Sequence, residues 1–258
     1  MKEKLNQHTT KVTQSSDSQL KAREELWEYF LEDPMPDAEK ERNLGLYIRS
    51  QNLARIITIS EIYKEILNLP GSIMDFGTWR GQNYILCENL RAIYEPFNKQ
   101  RKIFAFDTFE GYFSADPNDE SIHSSFQNGK YSTGIDYDQS LLRLMRIHES
   151  NNVLNNVNSN HEVIKGDILK TLPDFINDQR NLLIALAFFD MNLEEPTSFA
   201  LEKTLEHSMP GTRIVFMQLQ RDFLPGEGAS YLNKILGARN HTIKLAKEYP
   251  SIAIITIL

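Results

Sequence analysis

Apolar residues change their spacing near position 70. Before it they recur at helical intervals. Leu20, Leu26, Phe30 and Leu31, with Trp27 and Tyr29 beside them, predict a helix over 20–31. Leu53, Ile56, Ile57, Ile59, Ile62, Tyr63, Ile66 and Leu67 predict a second. Asp33-Pro34-Met35-Pro36-Asp37 breaks the first, and Asn68-Leu69-Pro70-Gly71 ends the second. Beyond Gly71, short apolar runs at 72–76, 102–106, 161–165, 182–189 and 213–216 alternate with longer helical stretches. That alternation predicts βαβ units on a parallel sheet. The last two runs, 241–245 and 252–258, are joined by the short turn Lys247-Glu248-Tyr249-Pro250 and predict an antiparallel hairpin. The expected fold class is α/β: a mostly parallel, Rossmann-like sheet with a C-terminal antiparallel hairpin and N-terminal helices.

The same pattern divides the chain. Residues 1–19 are rich in Gln, Ser, Thr and Lys and have little to bury, so they read as a mobile arm. Residues 20–70 form a helical segment and 71–258 the main domain. The polar stretch 113–139 is too long for a plain crossover and reads as a lid or insertion over a site.

Composition narrows the partners. A net charge of -7 argues against binding nucleic acid or an anionic membrane surface, since both require a basic face. The longest apolar run, 182–189, falls far short of the roughly 20 residues that cross a bilayer. The first residues lack the apolar centre of a signal peptide, so the expected location is the cytoplasm. The single Cys87 excludes a disulfide framework and a multi-cysteine zinc site.

Ligands of open α/β sheets sit outside the carboxyl ends of the strands. The first such end reads Asp75-Phe76-Gly77-Thr78-Trp79-Arg80-Gly81. Two glycines let backbone approach a ligand, and the next helix start offers free N–H groups. The spacing is G-x-x-x-G, so the dinucleotide fingerprint G-x-G-x-x-G is missing, which disfavours a nicotinamide dehydrogenase. The second strand ends at Asp107, placed to hold ribose hydroxyls, the third at Asp167 and the fourth at Asp190. Each acid has a plain alternative as a helix cap. Together, four acid-tipped strands outline an adenosine-type ligand with a positive charge near Asp75 and Asp190.

These residues resemble the macrocin O-methyltransferase family. The match runs through Asp75–Gly81, Phe106-Asp107-Thr108-Phe109-Glu110-Gly111, Gly166-Asp167-Ile168-Leu169-Lys170-Thr171-Leu172-Pro173, Asp190–Thr197 and Pro225-Gly226-Glu227. The resemblance implies a class I methyltransferase sheet and S-adenosyl-L-methionine (SAM) as cofactor. Asp75, Gly77, Gly81 and Asp190 would face its methionine part, with Trp79 in the loop over the tail. Asp107 would hold the ribose, Asp167 and Ile168 would meet the adenine, and Phe109 would line the pocket. The methyl acceptor would be a small molecule, a sugar or glycoside. The family often dimerises, and the N-terminal helices offer an apolar face for a second copy.

The chain departs from the family pattern where that pattern binds metal. The family's fourth strand ends acid-x-acid-x-Tyr, whereas this chain has Asp190-Met191-Asn192-Leu193-Glu194. The fifth strand normally ends in two acids, and here it reads Met217-Gln218. One carboxylate of three remains, and a thioether does not suit magnesium, so a divalent metal is not expected. Asp190 and Glu194 are then the catalytic candidates, with Glu195, Asp222, Glu227 and His123 as further possible bases. His148, His161, His207 and His241 lack a paired acid in sequence and read as structural.

The expected function is SAM-dependent methylation of a sugar hydroxyl in polysaccharide or natural-product biosynthesis. Acceptor choice would lie in residues 1–45 and 113–139. A second function fits the same residues: an altered homologue that binds SAM or its product and serves as a partner subunit or does other chemistry.

Overall fold

The computed structural model describes residues 16–112, 129–152, 160–221 and 225–258. The chain forms two compact units, Met1–Ala54 and Arg55–Leu258.

In the first unit, α1 (Asp17–Glu32) starts three residues before its apolar pattern does. Ser16 and Gln19 form a reciprocal capping box that satisfies the first free N–H groups. A short α2 (Asp37–Arg42) and a 3-10 turn (Leu44–Tyr47) follow. Asp33 ties them back, accepting from the Met35 N–H and the Tyr47 hydroxyl. Residues 1–15, most of the arm expected from the sequence, lie outside the described residues.

α3 (Ser50–Lys64) leads into the second unit, where Ile59, Ile62 and Tyr63 are buried. The strands are β1 (Ser72–Phe76), β2 (Ile103–Asp107), β3 (Glu162–Lys165), β4 (Ile184–Phe189), β5 (Ser208–Phe216), β6 (His241–Leu245) and β7 (Ala253–Ile257). They form one sheet in the order β3-β2-β1-β4-β5-β7-β6. The first five are parallel, and β7 enters antiparallel between β5 and β6. The expected fold class, hairpin included, is what the chain adopts. β5 begins earlier than its apolar run because its first half is polar.

The linking helices are α4 (Gln82–Tyr94), α5 (Tyr137–Asn151), α6 (Ile168–Asp178), α7 (Glu194–Glu206) and α8 (Gly226–Lys234). Of the expected insertion, residues 113–128 lie outside the described residues, and from Gly129 turns lead to α5.

Strand alternation sorts the core into two layers. Ile73, Ile103, Ala105, Leu186, Phe188 and Val215 face one cluster. Met74, Phe76, Phe104, Phe106, Ala187, Phe189, Ile214 and Phe216 face the other. Four neighbouring strands thus bring a phenylalanine into register near their carboxyl ends, Phe106, Phe76, Phe189 and Phe216. Their ring centroids lie 5.2, 5.0 and 5.4 Å apart. This apolar floor fixes the level at which the polar strand tips emerge.

Candidate functional site

β1 ends in a turn that glycine alone can make. Gly77 has φ 77°, and a Cβ there would lie 2.7 Å from the carbonyl carbon and oxygen of Asp190. The first strand tip therefore lies against the fourth. Gly81, at φ 77°, caps α4, and a Cβ there would strike the Leu141 side chain. As at any helix start, the first-turn N–H groups of α4 lack intrahelical acceptors.

Asp75 faces α4 and is only 1% exposed. Its Oδ2 accepts from the Thr78 hydroxyl and its Oδ1 from Asn83 Nδ2 at 3.2 Å. Burial pushes its carboxyl up to about 6, with the Asp190 charge adding to the rise and the two hydrogen bonds opposing it. It shapes the loop from within.

Asp107 ends β2. Its Oδ2 accepts the Trp79 N–H at 2.8 Å and its Oδ1 the Phe109 N–H at 2.7 Å. Each carboxylate oxygen has a second lone pair, so both can still receive a hydroxyl. Burial raises its carboxyl above the usual aspartate value, against the pull of these hydrogen bonds. Phe109 itself is core, buried against the Tyr137 ring at φ 59°. Asp167 caps α6, accepting the Leu169 N–H at 3.0 Å, and Ile168 is buried behind it.

At the tip of β4, Asp190 Oδ1 accepts from Gln218 Nε2 at 3.0 Å. The Gln218 N–H donates to Glu227 Oε2 at 2.7 Å. Glu227 is fully buried, and burial together with the Asp190 charge raises its carboxyl well above the usual range. Asn192, at φ 66°, donates to the Tyr112 hydroxyl at 2.9 Å. Glu194 opens α7 and accepts from Asn233 of α8. Its backbone carbonyl accepts from the Ser230 hydroxyl. His123 and Asp222 lie outside the described residues.

The donor set does not fit a divalent cation. Met217 is buried in the core, and an amide N–H occupies Asp190 Oδ1 where a cation would bind. Among the described residues, no group of three or more His, Cys, Asp or Glu side chains converges. Asp75, Asp107 and Asp190 nevertheless lie together along one edge, close enough for Asp190 to raise both other carboxyls.

The aromatic surroundings had no periodic signal in sequence. Trp79 meets Tyr131 edge-on at 6.1 Å, and Tyr131 meets Tyr112 at 5.4 Å. The Arg80 guanidinium lies 4.9 Å over the Tyr137 ring. Gln218 also escaped notice as a partner of Asp190, because a separation of 28 positions hides a contact made by adjacent strands.

Several solved structures share this fold. The fold matches the crystal structure of CalS11, a calicheamicin methyltransferase, with a TM-score of 0.88 and 27% identity over 95% of this chain and 94% of that one. A second CalS11 structure, described as TDP-rhamnose 3'-O-methyltransferase, gives 0.81 and 26% over 95% and 96%. The O-methyltransferase NovP gives 0.59 and 16% over 79% of each chain, a likeness of fold. No curated protein matches in sequence. No helix among the described residues is long and apolar enough to cross a membrane. Residues 48–221, which carry the acid-tipped strands and the glycine-turned loop, match the model of the family described as Macrocin-O-methyltransferase (TylF), and the chain belongs to that family of O-methyltransferases.

Proposed function

We propose that this chain transfers a methyl group from SAM to a hydroxyl of a sugar or sugar-like small molecule, without a divalent cation. The observation that carries the reading is Asp107, a carboxylate held by two backbone N–H groups beside the glycine-turned loop, with acceptor capacity left on both oxygens. The activity described for CalS11 supports a sugar hydroxyl as acceptor.

SAM, when bound, supplies a methyl group on a sulfonium. The chain's own task is then chiefly alignment. Asp107 holds the ribose diol, Asp167 and Ile168 border the adenine, and Gly77 and Gly81 let the loop backbone approach the methionine part. Asp75 acts through the loop that it shapes. The sugar hydroxyl gives up a proton as its oxygen is methylated, and that proton passes to Asp190. Gln218 holds this carboxylate in place, and Glu194 stands as the second acid of the same segment. A second reading, an altered homologue that binds the cofactor without methyl transfer, draws on Asn192 and Gln218 standing where the family has acids.

Calorimetry with S-adenosylhomocysteine tests the cofactor. Binding is expected, and Asp107→Ala should weaken it by about 1.5–3 kcal/mol through loss of charge-assisted hydrogen bonds. Absence of binding by the wild type sinks the whole reading. Binding without methyl transfer to any nucleotide-linked sugar favours the altered homologue. Titration with Mg²⁺ or Mn²⁺ should show no heat for the wild type, while Met217→Asp with Gln218→Asp restores two acids and should create uptake. Tight uptake by the wild type overturns the metal-free assignment.

A further inference from the structure

We propose that the row Trp79–Tyr131–Tyr112 seats the acceptor's ring, so that Trp79 serves the cofactor with its backbone and the acceptor with its indole. The inference rests on the sugar-methylating reading above and adds where, and by which face, the acceptor binds.

The row spans the carboxyl edge of the sheet. Trp79 stands in the β1–α4 loop, Tyr131 comes from the turns before α5, and Tyr112 follows β2. Edge-on contacts at 6.1 and 5.4 Å join them, and the Tyr112 hydroxyl ends the row on Asn192, two residues beyond Asp190. The adenosine-facing acids Asp107 and Asp167 lie at the tips of β2 and β3. The row instead runs from the first strand tip toward the fourth, where the methylated hydroxyl must meet its base.

Trp79 is 38% exposed, although its φ is 49°. Left-handed backbone costs an L residue about 1–2 kcal/mol. Tyr131 and Asn192 share that conformation, at φ 72° and 66°. Non-glycine strain of this kind persists only where surrounding contacts impose it, and it gathers at ligand sites.

Those contacts are in place. The Trp79 N–H is held by Asp107. Arg80 bridges the two segments: its guanidinium lies 5.8 Å from the Trp79 ring and 4.9 Å from Tyr137, and it donates to the Thr133 carbonyl at 3.3 Å. The Tyr137 hydroxyl donates to the Arg80 carbonyl. The indole is thus presented in a fixed orientation before any ligand arrives, which lowers the ordering cost of binding.

The chemistry of the row suits one class of ligand. Ring faces are electron-rich and attract the weakly positive C–H groups on the apolar face of a pyranose. At the far end, Asn192 is 9% exposed and its buried Oδ1 has no hydrogen-bond donor among the described residues. A ring with an apolar face and hydroxyls at its edge matches both features, and a 6-deoxyhexose has that shape.

The test is saturation-transfer NMR on the full chain loaded with S-adenosylhomocysteine, with millimolar methyl α-L-rhamnopyranoside as the probe. Saturation should reach the ring C–H protons of one sugar face. Trp79→Ala should reduce it about fivefold and Trp79→Phe less. Tyr131→Ala, which leaves the β1–α4 loop sequence intact, should also reduce transfer, with affinity for S-adenosylhomocysteine unchanged. Absence of saturation in the wild type overturns the proposal, as does saturation unaltered by Trp79→Ala and Tyr131→Ala. A loss of S-adenosylhomocysteine affinity matching the loss of saturation would place the indole on the cofactor instead. Failure of S-adenosylhomocysteine to bind the wild type is a different result, since it removes the methyltransferase reading and not the sugar seat alone.

Discussion

Gly77→Ala is expected to abolish measurable cofactor binding and lower the melting temperature in the same variant. Two costs coincide at this position. The backbone is left-handed at φ 77°, and the added Cβ would lie 2.7 Å from the Asp190 carbonyl carbon and oxygen and 2.9 Å from the Met191 nitrogen. These neighbours are backbone, so no rotamer change relieves the contact. The tip of β1 must move away from β4, although Phe76 and Phe189 pair in register directly beneath. Left-handed strain and overpacking together amount to about 3–4 kcal/mol. Movement of the loop also displaces the Trp79 N–H from Asp107, so the carboxylate proposed to hold the ribose loses an orienting contact. Thermal denaturation and calorimetry with S-adenosylhomocysteine measure the two effects. A variant with wild-type melting and affinity would show that the two strand tips are not held as closely as described.

That pair of effects was only half legible in the chain. The glycines at 77 and 81 were readable as a strand-to-helix turn because a strand pattern precedes them and a helix pattern follows. The reason that position 77 tolerates nothing larger was hidden, since the obstacle belongs to a strand more than a hundred residues later. The fold class was readable for a similar reason: period-two apolar runs and helical runs depend on local sequence, and the closing hairpin has a short connection. Strand tips followed, because an acid after an apolar run ends up at the sheet's edge whatever the packing. Side-chain partnerships did not follow. Asp75 could be read as facing a ligand, but alternation along β1 turns it beneath α4 onto Thr78 and Asn83. Arg101, which no sequence pattern singled out, is buried and donates to the carbonyls of Ile66, Leu69 and Gly71, closing the turns after α3. That Asn192, Met217 and Gln218 stand where the family pattern has acids was visible by comparison, whereas the hydrogen bond from the Gln218 amide to Asp190 required the geometry.

The largest stability effect is expected far from the site, from Glu88→Gln. Glu88 and Arg91 are one turn apart on α4 and both buried. Oε2 accepts from Arg91 Nε at 2.6 Å and His161 Nε2 at 3.0 Å, while Oε1 accepts from Arg91 Nη2 at 2.9 Å and Asn152 Nδ2 at 2.8 Å. His161 Nδ1 accepts the Ile103 N–H, so that nitrogen carries no proton and the neutral ring donates from Nε2. Arg91 therefore supplies the charge that balances Glu88. Glutamine keeps the shape, but it leaves the guanidinium buried without a counter-charge and points an amide at donors. Breaking one side of a buried pair costs about 3–5 kcal/mol, a fall of roughly 10 °C in melting temperature for a chain of this size. The pH dependence supplies an independent check. Burial alone would raise the Glu88 carboxyl, but the hydrogen bonds from His161 and Arg91 outweigh it and hold it at about 2, below its ordinary 4.5. The folded state therefore releases this proton more readily than the unfolded chain. The resulting stabilisation is complete above about pH 4.5 and drains away as pH falls toward 2. Denaturant titrations of wild type and Glu88→Gln should thus differ most at neutral pH and converge across that interval. A gap that stays constant down to pH 2.5 would assign the loss to packing and not to the charge that joins α4 to β2 and β3.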